Sequence, residues 1–310
     1  GGKVKALGGS GRAGKSDIFV VEACEFVDTF LKLSNDISVI LNIDNDHLDY
    51  FGSIENSIKS FRKFASNSTG PVIVNGDDAN TMKAVDGLDK EIITFGWSNK
   101  NDYYAADVRF LGGAKSGYTL MHHGKPICEI RLSIPGKHNI LNSMACAVVC
   151  LYLGMNPDEM AEHIDKFPGA GRRFEILGEV NGVTIADDYA HHPTEIAATL
   201  KAAKEMDFHE VWAVFQPFTY SRTALLMDDF VTALSVADHV VMSEIMGSRE
   251  KNTYNIYTRD LAEKIPGSVW FNTFKEMADY TMSHAKPGDL VITLGCGDVY
   301  KCAYIMAGID

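Results

Sequence analysis

From Val183 onward, short β-branched runs alternate with helix-like stretches, and this alternation constrains the fold more than any other feature of the chain. Strands are expected at 183–187, 211–215, 238–242, 268–271 and 289–294. Helices are expected at 193–205, about 223–236, 258–264, 274–284 and 298–307. Strand followed by helix, repeated, gives a parallel sheet covered by helices, a Rossmann-like α/β domain of doubly wound type. In such sheets ligands sit beyond the carboxyl ends of the strands. The polar residues just after each strand are therefore the first candidates for a site.

The upstream half reads as a second α/β domain with one change of character. Residues 18–22 (IFVVE) and 37–43 (ISVILNI) are continuous and β-branched, as buried strands are. Between them, 25–33 reads as a short helix or turn. Residues 53–65 put Ile54, Ile58, Phe61 and Phe64 on one helical face. A strand at 72–75 ends in the turn Asn75-Gly-Asp-Asp. Short runs at 92–95, 104–110, 118–122 and 127–134, separated by Gly, Asn and Lys, read as a small antiparallel β insertion over 91–133. Helices follow at 139–154 and 157–166, the second opened by Asn156 and Pro157. The break Phe167-Pro-Gly-Ala-Gly-Arg-Arg-Phe174 divides the chain into domains 1–166 and 167–310.

Charge and cysteine usage exclude some functions. Of 310 residues, 29 are Lys or Arg and 41 are Asp or Glu, a formal charge of −12. That sign argues against a broad nucleic-acid or anionic-membrane surface. The six cysteines form no CxxC pair, and Cys146 and Cys150 read as core residues of one helix. The pattern suits a reduced, cytoplasmic protein rather than a disulfide scaffold or zinc site. No apolar run reaches transmembrane length.

Gly9-Ser-Gly-Arg-Ala-Gly14-Lys15-Ser16 fits the pattern GxxxxGK[ST]. A phosphate loop needs a strand before it and a helix N-terminus after it. Here the strand-like IFVVE run follows, so the motif is set aside as a surface loop. Glu22 and His47 lie at or just past predicted strand ends and together suit a divalent ion near phosphates. The plain alternative is that His47 caps a turn among solvated aspartates. After 183–187 come Asp187, Asp188, Tyr189, His191 and His192. Pro193 and Glu195 there read as an ordinary helix start. Arg222, near another helix start on the same edge, suits a carboxylate or phosphate, or is a surface arginine. Gly295-Cys-Gly297-Asp298 is a tight turn, or a turn that faces a ligand.

Taken together these segments resemble the Mur ligase family. The stretches that carry the resemblance are VVEACEFVDTFL (20–31), LNIDNDHLDYF (41–51), GKHNILN (136–142), FPGAGRRFEILGE (167–179), DDYAHHPTE (187–195), FQPFTYSRT (215–223), SREK (248–251) and GDLVITLGCGD (288–298). The resemblance implies an ADP-forming acid–amino-acid ligase with three domains, for a UDP-sugar, ATP and an amino acid, the last closing over the site. It implies ATP and Mg2+ as cofactors, UDP-N-acetylmuramate and L-alanine as small-molecule substrates, and neither nucleic acid nor membrane as a partner. By motif position it implies Glu22 and His47 as magnesium ligands and Asn139 and Asn142 as nucleotide-site residues. Arg173 and Asp188 correspond to residues brought to ATP and to the reacting centre. Tyr189, His191 and Arg222 fall on the amino-acid side, with His191 positioning or deprotonating the amine.

The sequence departs from the family at two places. Cys24-Glu25-Phe26-Val27 stands where Asp-Glu-Ser-Asp is frequent, and Phe218-Thr219 stands where His-Arg is frequent. The chain opens on Gly-Gly, and the match begins beyond the family's Gly-Lys-Thr phosphate loop. A piece lacking the UDP-binding domain and that loop, inactive by itself, is therefore expected. The alternatives are a sister ligase that adds a whole peptide to the same sugar, a folate polyglutamylating enzyme at greater distance, and a non-catalytic nucleotide-binding module.

Overall fold

The computed structural model describes residues 2–4, 7–111 and 115–309, with Leu48 and Asp49 as backbone only. The chain divides into two compact units, Ala13–Pro168 and Gly169–Asp310, and the opening segment Gly1–Arg12 packs with the second. Gly171 N–H, for example, donates to Lys3 O at 2.7 Å. No described helix is long and apolar enough to cross a membrane.

The middle unit holds one mixed sheet, β1 (Ser38–Ile40), β2 (Val72–Asn75), β3 (Ile92–Gly96), β4 (Tyr103–Phe110), β5 (Ser116–His122) and β6 (Lys125–Leu132), in that spatial order. β1 to β4 run parallel and β4 to β6 antiparallel. The antiparallel character expected over 91–133 holds for β4 to β6 and differs only at the start of the region. Its first strand is part of the parallel set, and the hairpins extend the same sheet. Both strand types have period-2 patterning, so sequence alone does not separate them.

Helices cover both faces of this sheet. α1 (Leu48–Phe51), α2 (Ile54–Ser66) and α3 (Ala79–Val85) lie early in the unit. Ser53 starts α2 by accepting Asn56 N–H at 3.4 Å, and Phe64 of that helix meets Phe30, Ile40 and Val74 in one core. α4 (Lys137–Tyr152) lays Ile140 and Met144 against Ile73, Phe95 and Tyr118 in another, and α5 (Pro157–Asp165) adds Met160. Each such buried side chain contributes roughly 1.5–3 kcal/mol.

The strand expected at 18–22 is absent. Phe19 and Val20 are each 86% exposed, and no described strand pairs with them. A β-branched run gains strand stability only from ladder partners and a covered face, and this one has neither. Ser16 is followed by neither strand nor helix. The ground for setting Gly9–Ser16 aside changes accordingly, but the helix that a phosphate loop requires is not there. Residues 25–33 form a 3-10 helix, Phe26–Lys32, broken by left-handed Val27 and Asp28.

The C-terminal unit follows the expected alternation closely. Its strands are β7 (Glu175–Val180), β8 (Val183–Asp188), β9 (Val211–Phe215), β10 (His239–Ser243), β11 (Val269–Phe271) and β12 (Leu290–Leu294). Its helices are α6 (Pro193–Lys204), α7 (Tyr220–Leu225), α8 (Met227–Leu234), α9 (Thr258–Ala262), α10 (Phe274–His284) and α11 (Tyr300–Ala307). The helix expected near 223–236 is two helices meeting at Leu226. The spatial order is β11-β10-β9-β12-β8-β7, parallel except for the edge strand β7. That edge strand is absent from the sequence reading, since Gly178 and the exposed Ile176 disrupt its pattern.

β12 lies between β8 and β9, and Leu294 is level with Asp188 on one side and Phe215 on the other. Three loops therefore leave the carboxyl edge side by side, beginning at Tyr189, Gln216 and Gly295.

Candidate functional site

The loop edge of the C-terminal unit is built on two buried aspartates. Asp187 accepts Arg172 Nε–H at 2.8 Å and Thr293 Oγ1–H at 2.6 Å. Burial pushes its carboxyl up, against those two partners. Arg172 also donates Nη2–H to Gly295 O at 2.7 Å and lies 5.0 Å from the Tyr189 ring and 4.7 Å from the Tyr300 ring. This set holds Arg172 with a positive φ of 60° and ties the arginine loop to β8 and β12.

Asp188 is spent on the backbone. Its two oxygens accept Phe174 N–H and Ala190 N–H, each at 2.7 Å. Burial pushes its pKa up to about 6, although both hydrogen bonds favour the charged form. Arg173 is more exposed than Arg172. Its side chain is 53% exposed, 4.0 Å from Glu195 and 5.5 Å from the Tyr189 ring. Of two adjacent arginines, one fixes the loop and the other presents its charge at the edge. Nothing in the sequence marks which does which.

His191 is partly enclosed, its side chain 15% exposed. Its Nδ1 lies 3.1 Å from Tyr189 O and 3.3 Å from Glu195 Oε2. Tyr189 and Phe218 meet its ring edge-on at 5.5 and 6.3 Å. Burial pulls its pKa down, but hydrogen bonds to Cys296 and Glu195 outweigh burial and push it up to about 10. Glu195 is the counterpart. Burial raises its pKa, but His191 more than offsets this and draws it down to about 2. Glu195 also accepts the backbone N–H of His191 and His192, closing the capping box of α6. The helix start that competed with a functional reading of this loop is therefore real, and it also aims His191. Arg222 is partly buried in α7, whose first turn is set by Thr219 Oγ1 and by Glu250 on Ser221.

In the middle unit, His47 Nε2 is 3.5 Å from Glu25 Oε1 and 3.7 Å from Asp46 Oδ2. Ligand atoms of these three residues all lie within 4.8 Å of one another. The hydrogen bond from His47 holds the Glu25 carboxyl below its usual range. Phe26 packs on the His47 ring at 4.7 Å, and Tyr50 O–H donates to Asp28 at 2.9 Å. Asp78 and Asn80 anchor the backbone of Ile43, so the loop before His47 is pinned to the end of β2. Oxygen donors with one imidazole fit a divalent cation. Of the two ligands implied by resemblance, His47 belongs to this group and Glu22 does not. Glu22 is exposed on the irregular segment, because the strand meant to present it does not form. Glu25 and Asp46 escaped the sequence reading, though Glu25 stood in plain view where the family often has an acidic residue.

Asn139 and Asn142 come together at the start of α4. Asn139 Nδ2–H donates to Pro135 O at 2.7 Å, and its Oδ1 accepts Asn142 Nδ2–H at 3.1 Å.

Residues 8–150 match the Mur ligase middle domain, and residues 172–297 match the Mur ligase glutamate ligase domain. The chain belongs to the Mur ligase family. Among its Mur relatives, the UDP-N-acetylmuramate–L-alanine ligase of Caldanaerobacter subterraneus is 44% identical over 307 residues, covering 97% of this chain and 67% of the relative. The enzyme of the same name from Caldicellulosiruptor saccharolyticus is 43% identical over 305 residues, with 96% and 67% covered. The crystal structure of UDP-N-acetylmuramate-alanine ligase from Thermotoga maritima matches with a TM-score of 0.73 at 25% identity, covering 91% of this chain and 61% of that one. The chain thus spans about two thirds of the length of these curated Mur ligases and less of the solved structure.

Proposed function

We propose that the chain carries the nucleotide and amino-acid sites of a ligase that joins L-alanine to the carboxylate of UDP-N-acetylmuramate with cleavage of ATP to ADP. The observation that carries this reading is identity of 44% and 43% along nearly the whole chain to relatives that bear that name. A murein peptide ligase from Psychrobacter arcticus shares the fold at 20% identity, which lends the peptide-adding alternative less support.

In this reading a sugar carboxylate is first activated as an acyl phosphate, and the alanine amine then displaces phosphate. Magnesium, when bound, offsets charge on the transferring phosphoryl group. His47, Glu25 and Asp46 would hold it, and Glu22 is a ligand on resemblance alone. Asn142 is exposed beside Asn139, and its amide suits a nucleotide base. Arg173 supplies a cation for phosphate oxygens. Asp188 shapes the loop on which Tyr189 and His191 sit, a positioning role. His191, protonated at neutral pH, fits holding an anionic group better than deprotonating an amine. Arg222 offers a fork for the alanine carboxylate.

The test is a chimera in which this chain replaces the matching part of the Caldanaerobacter relative. ADP release that requires both UDP-N-acetylmuramate and L-alanine is the expected result. ADP release with a peptide in place of alanine would move the reading to the peptide-adding sister. Failure of the chain itself to bind ATP with magnesium in a calorimetric titration, together with an inactive chimera, would overturn it.

A further inference from the structure

The opposite edge of the C-terminal sheet carries a polar cluster that the ligase reading does not use. β10, β9 and β12 lie side by side, and their amino ends bring together His209, Glu210, His239 and Asp289. His239 is level with Trp212, and Leu290 is level with Val211, so Asp289 falls beside Glu210. Glu210 and Trp212 are two residues apart and share one face of the sheet. The cluster therefore follows from strand register, and it stands a strand length away from Tyr189, Gln216 and Gly295.

Asp289 is fully buried, and both of its oxygens are engaged. Oδ2 accepts Trp212 Nε1–H at 3.2 Å and Lys286 N–H at 2.9 Å, which leaves Oδ1 facing His209 Nδ1 at 3.0 Å. Burial pushes the carboxyl up, but Lys286 N–H, His209 and Trp212 outweigh burial and hold it below its usual range. Glu210 Oε2 lies 3.1 Å from His239 Nε2, and the His239 ring stacks on Trp212 at 3.9 Å. Ligand atoms of His209, Glu210 and Asp289 all lie within 4.8 Å of one another.

Two atoms bound to one zinc ion, each at about 2.0–2.1 Å, stand roughly 3.0–4.2 Å apart. His209 Nδ1 and Asp289 Oδ1 already have that spacing, and a small rotation of the Glu210 side chain completes the set. Carboxylates that bind metals are themselves held by outer hydrogen-bond donors. Trp212 and Lys286 do this for Asp289, and His239 does it for Glu210. An imidazole beside two carboxylates suits zinc better than magnesium, which prefers six oxygens.

We propose that His209, Glu210 and Asp289 form a binding site for a zinc-class divalent cation, with water as the remaining ligand. His239 and Trp212 are positioning residues for the two carboxylates. The ion ties the residues before β9 to the start of β12, at the edge remote from the proposed amino-acid site. Its role there is structural.

The probe is Zn2+, titrated calorimetrically into the whole chain carrying His47→Ala, which takes the imidazole out of the middle-unit group. One saturable zinc site is expected, with a melting temperature that rises with zinc concentration. His209→Ala in that background should weaken zinc binding at least about tenfold and remove the rise. The His209 side chain is 62% exposed, so this substitution leaves the core intact. Glu210→Gln should weaken binding to a similar degree. Lys204→Ala, which breaks a neighbouring ion pair with Asp238, should leave it unchanged. In crystals grown with zinc, the anomalous-scattering peak should fall between His209 Nδ1 and the two carboxylates. A folded protein that binds no zinc, or binding unmoved by both His209→Ala and Glu210→Gln, would overturn the proposal. None of these readouts needs ATP or ligase turnover, so failure of the functional reading leaves the test intact.

Discussion

The two candidate sites are built in opposite ways. At the edge of the C-terminal unit, charges are buried or half-buried and each is answered by a named partner: Asp187 by Arg172 and Thr293, Asp188 by two backbone amides, Glu195 by His191. In the middle unit, Glu25, Asp46 and His47 sit on irregular chain with left-handed residues at Val27, Asp28 and His47. The first site is rigid because the fold consumes its charges. The second gathers its donors on irregular chain, partnered mainly with one another. The same residue types thus act as frame in one place and are proposed as a ligand set in the other, and burial separates the two settings.

The largest effect expected from this contrast is on stability. Arg172→Met leaves the buried Asp187 without its cationic partner, which should cost about 3 kcal/mol. Glu25→Gln should stay within about 0.5 kcal/mol. Urea unfolding of the two variants measures this, and equal losses would erase the distinction.

A smaller effect is expected on ligand binding, and in the other unit. His47→Ala should weaken ATP binding about tenfold in the presence of magnesium, as loss of one metal partner does, and leave it unchanged without the metal. Calorimetric titration with and without magnesium reads this directly. Equal weakening in both conditions would mean that His47 supports the loop and not a cation. Running Glu22→Gln in parallel sharpens the comparison. A matching loss puts Glu22 in the site, and no loss leaves the cation to Glu25 and Asp46.

The smallest effect is a pH signature. Glu195, whose pKa is lowered to about 2 from 4.5, contributes stability present above 4.5 and lost as pH falls toward 2. His191, raised to about 10 from 6.5, contributes stability present below 6.5 and lost as pH rises toward 10. The difference in melting temperature between the parent and His191→Gln should therefore be greatest between 4.5 and 6.5 and close on either side. A difference that does not change with pH would make the pair a packing contact only.

The two units also differ in how far the sequence revealed them. The strand–helix alternation after Val183 is legible because the central parallel strands β9 and β12 are buried on both faces and several helices are capped by local residues, as Thr273 and Glu276 cap α10. The loop Asp187–His191 was legible for the same reason, since strand ends locate it. The split of work between Arg172 and Arg173 was not, because a salt bridge across fifteen residues leaves no local pattern. The run at 18–22 misled, because β-branched residues promise a strand only when a neighbouring strand takes up the ladder. Glu25 was passed over because the strand-end argument favoured Glu22, and that argument failed along with the strand.

The level ends of β8, β12 and β9 carry one more consequence. Each loop is fastened to its own strand at the same height, so a change of length or wording in one does not move the roots of the other two. The edge behaves as three exchangeable fingers on a single palm. A ligase frame of this kind is suited to acquiring a different amino-acid preference by rewriting residues 217–222, with Gln216 kept because its side chain accepts Asp298 N–H and holds the Gly-Cys-Gly turn.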